Sequence, residues 1–156
     1  MIYVPKSALE NEQMAVWAAN IIKQPDPFSP PYMCMGFTRE NKMACVIVAH
    51  DYRPPNICLS FAAVNPRWAT RQNLEHIERW VYDQLKCTRI TGIVDPRNDR
   101  ARKFDEGIGF KLEGTLRRAR PDGGKLLVYG LIREDFRKFI ERKRTKHEQA
   151  QGAKAA

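Results

Sequence analysis

Apolar residues recur along this chain in two rhythms. Met14, Trp17, Ala18, Ile21 and Ile22 fall at i, i+3, i+4, i+7 and i+8, the spacing of one face of an α-helix. Ser7 and Glu10 stand ahead of that face, spaced as a capping box in which each side chain satisfies a free amide, so a core-facing helix is predicted to follow Pro5. Ile2, Tyr3 and Val4 predict a short strand before it. Residues 24–31 carry Pro25, Pro27, Pro30 and Pro31, too many for a helix, and predict an extended, stiff loop.

The second rhythm is that of strands. Residues 32–37, 43–50 and 57–64 are apolar runs separated by Thr38-Arg39-Glu40-Asn41 and by the turn formers at 51–56, which predicts an antiparallel meander. The third run is almost continuously apolar, as a central strand covered on both faces would be. From Pro66 a second long helix is predicted, with Leu74, Ile77, Trp80, Val81 and Leu85 inward and Glu75, Glu78, Arg79, Asp83 and Gln84 pointing elsewhere. A buried strand at 90–94 is stopped by Asp95-Pro96, and Asn98 or Asp99 caps a short helix with Ala101 and Phe104 inside and Gly107 at its end. Residues 111–120, with Leu112 and Leu116, turn through Pro121-Asp122-Gly123-Gly124 into a strand at 126–132. Phe136, Phe139 and Ile140 support a last helix over 133–144, and residues 149–156, with no apolar pattern, read as a loose tail.

With 156 residues, 43% of them hydrophobic and 29% charged, the chain is expected to form one domain able to bury a core without disulfides or metals. The expected division is a folded body over 1–140 and a basic, flexible tail over 141–156. No apolar run approaches the ~20 residues of a membrane span and the start lacks the pattern of a signal peptide, so a soluble, cytoplasmic protein is expected. Cys34, Cys45, Cys58 and Cys87 stand singly in apolar stretches, as buried free thiols do, and no metal site is expected. The net charge is +9. The tail carries five Lys or Arg against two acids, so most of the excess lies on the body, where it attracts polyanions: nucleic acid, a phosphate-rich cofactor or an acidic partner.

Asn98, Arg100, Ala101, Phe104 and Gly109-Phe110, followed by Glu113-Gly114 and a returning strand through Tyr129, resemble the C-terminal half of the GNAT superfamily of N-acetyltransferases. The resemblance covers roughly residues 1–135 and implies an α/β fold, a central mixed β-sheet flanked by helices and splayed between its two central parallel strands. It implies acetyl-CoA as cofactor. Exposed backbone on the first of those strands, around Ala62 and Val64, would hold the pantetheine arm. The helix start that follows, with Arg67, Thr70, Arg71 and Gln72, would take the pyrophosphate, and Asn98, Ala101 and Phe104 would complete the cofactor side.

Two departures stand out. The family supplies an Arg or Gln followed by two glycines at alternate positions, but no glycine occurs between Gly36 and Gly92, and Gln72 and Leu74 stand where glycines are expected. Many members place a tyrosine after the Phe104 position as general acid, and here that residue is Asp105. An aspartate is ionised at neutral pH unless burial raises its pKa, so Asp105 is either an acid tuned by burial or polar surface. Tyr82 and Tyr129 are other candidate acids. His50 beside Asp51 is a candidate general base, or an exposed turn pair. Trp68 either covers cofactor or substrate or caps the core.

Three functions are thus open. The first is an acetyl-CoA-dependent transferase acting on an amine of a protein or small molecule. The second is a GNAT-fold protein with reduced or no catalysis that works by binding a partner protein. The third, a basic nucleic-acid-binding domain, rests on charge alone. The compact size and weak cofactor loop are also similar to GNAT-like proteins of tailed bacteriophages, which would imply a host-modulating role in the host cytoplasm.

Overall fold

The computed structural model describes the backbone of residues 1–24 and 26–155, with all side chains in that range except those of His147 and Ala155. Pro25 of the predicted loop and Ala156 of the predicted tail lie outside the described residues. The elements are β1 (Ile2–Tyr3), α1 (Ala8–Ile22), β2 (Met33–Arg39), β3 (Lys42–Arg53), β4 (Asn56–Ala63), a 3₁₀ turn (Pro66–Trp68), α2 (Arg71–Glu78) running into a π-helix (Arg79–Gln84), β5 (Arg89–Val94), α3 (Asp99–Ile108), β6 (Lys111–Leu116), β7 (Leu126–Ile132) and α4 (Arg133–Ala155).

The strands form one open sheet in the order β1-β2-β3-β4-β5-β7-β6, antiparallel throughout except where β4 meets β5. Glu40 and Asn41, both left-handed, make the tight hairpin between β2 and β3. On one face α1 packs Met14, Ala15, Ala18 and Ala19 over Cys34, Val46, Val48 and Ala62. On the other, α2, α3 and α4 close over a larger core that includes Ile47, Leu59, Ile90, Tyr129 and Phe136. β4 is the middle strand, with Ile57, Cys58, Leu59 and Ala62 buried, as its apolar run predicts. All four cysteines are free and buried.

Several boundaries differ from the sequence reading, each for a physical reason. Ser7 caps α1 through Glu10 N (3.2 Å), but the Glu10 carboxylate accepts from Lys6 N and Tyr3 Oη instead of closing the box on Ser7. Ile21 is 37% exposed, because α1 buries its alanines and turns that end of the stripe outward. The helix expected from Pro66 is broken: Asn65 caps the 3₁₀ turn, Thr70 caps α2, and the last turns widen into π geometry. That widening rotates Tyr82 inward, where its hydroxyl donates to Leu131 O (3.1 Å).

Glu78, expected to point outward, is 7% exposed, and its Oε1 accepts from Arg133 and Arg137 Nε, each at 2.7 Å. These bonds fix α4 against α2. α4 itself runs on to Ala155, beyond the 133–144 that the apolar pattern supports, although Ile140 is the last of its described side chains to be buried. Strand β6 ends at Leu116, with Leu112 and Leu116 exposed.

Helix α3 ends at Gly109, two residues later than Gly107. Gly109 adopts φ +112°, and a Cβ there would lie 3.0 Å from Asp135 O. Gly109→Ala is therefore expected to lose roughly 1–3 kcal/mol, read from the urea midpoint, whereas Gly107→Ala, with open space around it, should be neutral or slightly stabilising.

Candidate functional site: a gap between two parallel strands

The parallel ladder between β4 and β5 is short. It pairs Asn56 with Arg89, Ile57 with Ile90 and Cys58 with Thr91, and then the strands part. Arg89 N donates to Pro55 O and Val64 N to Ala44 O, so odd-numbered residues of β4 turn their backbone groups toward β5 and even-numbered ones toward β3. The Leu59 N–H closes the Cys58–Thr91 pairing, and beyond it the Leu59 C=O and the N–H and C=O groups of Phe61 and Ala63 face the gap. Ala62 and Val64, the positions expected to present backbone there, do not: Ala62 is fully buried under α1, and the Val64 amide is bonded inside the sheet.

At the mouth of the gap, Arg67 N is taken by Asn65 Oδ1 and Asn73 N by Thr70 Oγ1, while the first-turn amides of Arg71 and Gln72 have no helical partner. Arg67, Arg71 and Gln72 are exposed, with Arg71 Nε held by Glu75 at 2.7 Å. Lys143 of α4 reaches this corner and donates to Ala69 O (2.7 Å); burial of the ammonium lowers its pKa. Trp68 is 3% exposed and belongs to the core, with ring centroids 5.2, 6.0 and 5.7 Å from Phe37, Phe61 and Phe104. Phe104 is thus a packing residue of this cluster. Asn98 caps α3 by accepting from Ala101 N (3.0 Å), and Ala101 packs against the core.

Asp105 is not surface. It is 6% exposed, on the helix side of the sheet, with Oδ2 3.8 Å from where a Cβ on Gly92 would stand. Gly92 immediately follows the last paired residue of β5, so this carboxyl lies at the base of the gap. Among the described residues none donates a hydrogen bond to its side chain. Burial, with a smaller contribution from the neighbouring Glu106 charge, pushes its pKa up to about 7. The sequence carried a signal for this: Asp105 shares a helical stripe with Ala101, Phe104 and Ile108.

Tyr129 pairs with Gly92 across β5 and β7 but is fully buried, its hydroxyl donating to Glu106 Oε1 (2.9 Å). Tyr82 is spent on Leu131. His50 lies on the α1 side of the sheet. Its Nδ1 is 2.9 Å from Asp51 Oδ2 and its Nε2 3.0 Å from Ser60 Oγ, a partner that the sequence reading missed. No helix among the described residues is long and apolar enough to cross a membrane.

By sequence, no protein-family model and no curated protein matches the chain. Solved structures do. A variant of spermidine N-acetyltransferase from Vibrio cholerae superposes with TM-score 0.65 at 9% identity, over 87% of this chain and 95% of that one. The ribosomal-protein-S18-alanine N-acetyltransferase from Escherichia coli gives 0.59 at 18% identity, over 85% and 92%. An acetyltransferase of the GNAT family from Streptococcus pneumoniae gives 0.61 at 14%, over 85% and 98%. With its sheet order, its single parallel pair and the gap beyond that pair, the chain has the GNAT acetyltransferase fold.

Proposed function

We propose that this chain is an N-acetyltransferase that draws its acetyl group from acetyl coenzyme A and passes it to an amine, with Asp105 as proton donor. The observation that carries this reading is the partnerless carboxyl at the base of the gap, held near neutrality by burial. The residues present fit such a cofactor. Strand backbone at Phe61 and Ala63 is open along one side, and the start of α2 offers free amides with Arg67 and Arg71 beside them. Bound acetyl coenzyme A supplies a thioester with a good leaving group. The chain supplies position and a proton: backbone N–H groups of β4 orient and polarise, the Phe61–Trp68–Phe104 cluster excludes water on the helix side, and the Asp105 carboxyl holds a proton where negative charge develops.

Calorimetry with acetyl coenzyme A is the first test, and absence of both heat and thermal shift overturns the reading. Arg67→Ala with Arg71→Ala should weaken binding roughly tenfold or more, since each removes a charged donor beside the anion site. Unchanged affinity would place the phosphates elsewhere. Spermidine and a peptide beginning with alanine, the acceptors named for two fold neighbours, are the amines to offer first.

A second reading, a partner-binding protein without catalysis, is favoured by the missing loop glycines and by Trp68 packed at the gap. It predicts no acetyl coenzyme A binding and a stable complex with a host or cellular protein, recovered by pulldown and mass spectrometry.

A further inference from the structure

The geometry points to Ser60, His50 and Asp51 as a proton relay that takes the proton of the incoming amine on the sheet face opposite Asp105. The inference rests on the acetyltransferase reading and adds to it the residue that meets the acceptor. Ser60 lies two positions beyond Cys58, the last residue of β4 paired to β5, so its β5 side borders the gap. Its side chain shares a face with Cys58 and Ala62, the α1 face, because alternate residues of a strand do. Asp105 approaches the same base of the gap from the helix face, against Gly92. A donor and an acceptor of protons therefore flank the gap on opposite sides of the sheet.

The relay is built by an irregularity. His50 pairs with Cys58 and would normally be followed by a residue pointing to the other face. Asp51 instead adopts φ +48°, and the β3–β4 register shifts between His50 and Arg53. That bulge brings two consecutive side chains together, at 2.9 Å between Nδ1 and Oδ2. Phe28, its ring 5.2 Å from the imidazole, packs against His50, and Ser60 Oγ closes the chain of bonds at 3.0 Å. Cys58, across from His50, does not compete as a base: burial and the Asp51 charge hold its thiol above the ordinary range. Arg53 and Arg89 also face this thiol. Asp51 is 64% exposed, so the far end of the relay opens to bulk water.

In operation, Ser60 Oγ receives the amine proton as its own proton passes to His50 Nε2. The imidazolium faces the Asp51 carboxylate through Nδ1–H. One proton enters the protein on this face while Asp105 gives one up on the other, and bulk water later restores both. This direction requires one tautomer, with the proton on Nδ1 and a lone pair on Nε2.

Nitrogen-15 NMR of the full chain at mildly alkaline pH reads that tautomer directly, with His50→Gln assigning the resonance among the three histidines. The expected result is Nδ1–H with unprotonated Nε2, and an Nε2 resonance that moves in Ser60→Ala. Ser60→Ala should also slow acetyl transfer to an accepted amine roughly tenfold or more while leaving acetyl coenzyme A affinity within about twofold. An Nε2–H tautomer, or wild-type transfer by Ser60→Ala, overturns the relay while cofactor binding still stands. Absence of cofactor binding removes the underlying reading and the relay with it.

Discussion

Asp105→Asn is expected to abolish most activity and, at the same time, to stabilise the protein. An amide keeps the shape of the side chain but cannot supply a proton, so acetyl transfer should fall by roughly 100-fold or more with acetyl coenzyme A affinity little changed. The stability gain follows from linkage. The carboxyl titrates at about 7 in the folded chain against an ordinary 3.8. Below 3.8 it is protonated whether the chain is folded or not, and the substitution changes little. Between those values the unfolded chain releases a proton that the folded chain keeps, so wild-type stability declines as pH rises, and above about 7 the loss is complete. The difference of about 3 pH units is worth at most about 4 kcal/mol, less whatever the asparagine amide loses by lacking a partner in the same place. Urea unfolding of wild type and variant at about pH 4 and about pH 8 measures it. Equal stability offsets at both values would mean that Asp105 titrates as an ordinary surface acid. Stabilisation without loss of transfer would remove it from the chemistry.

Trp68→Ala is expected to cost the fold roughly 3–5 kcal/mol, the range for deleting a large buried aromatic. Trp68 bridges β2, β4 and α3 through Phe37, Phe61 and Phe104, and no smaller residue can touch all three. The loss should appear as a lowered urea midpoint with little change in slope. A variant that unfolds like wild type but binds acetyl coenzyme A poorly would instead return Trp68 to the cofactor.

The parts of this molecule that depend on near neighbours in sequence were open to inspection in the chain itself. Ser7 and Asn98 start helices because a side-chain oxygen accepts from an amide three residues on, and the tight hairpin at Glu40-Asn41 is equally local. The meander and the crossover helix followed from the rhythm of apolar residues. What escaped were pairings closed across long stretches of chain. Nothing near Glu78 in sequence says that Arg133 and Arg137 will meet it, and a charged residue on a helix, taken with its neighbours alone, belongs on the outward face. Asp105 was similarly ambiguous, although its stripe-mates Ala101, Phe104 and Ile108 argued for burial. Ser60 was invisible without the register of the β3–β4 hairpin, which sets it within reach of His50. The gap itself came only from family resemblance, since the parting of two strands leaves no mark on periodicity.

The widened turns at Arg79–Gln84 constrain how the chain can change in length. A π turn holds one residue more than the α turn it interrupts, so losing a single residue there would close the ladder into regular helix without breaking the backbone. The repair would leave the residues on either side in phase but reorient those inside the widened turns, pulling the Tyr82 hydroxyl off Leu131. A one-residue deletion that looks harmless in the helix should therefore loosen α2 from β7, and a deletion screen across this segment would find the sheet, rather than the helix, giving way first.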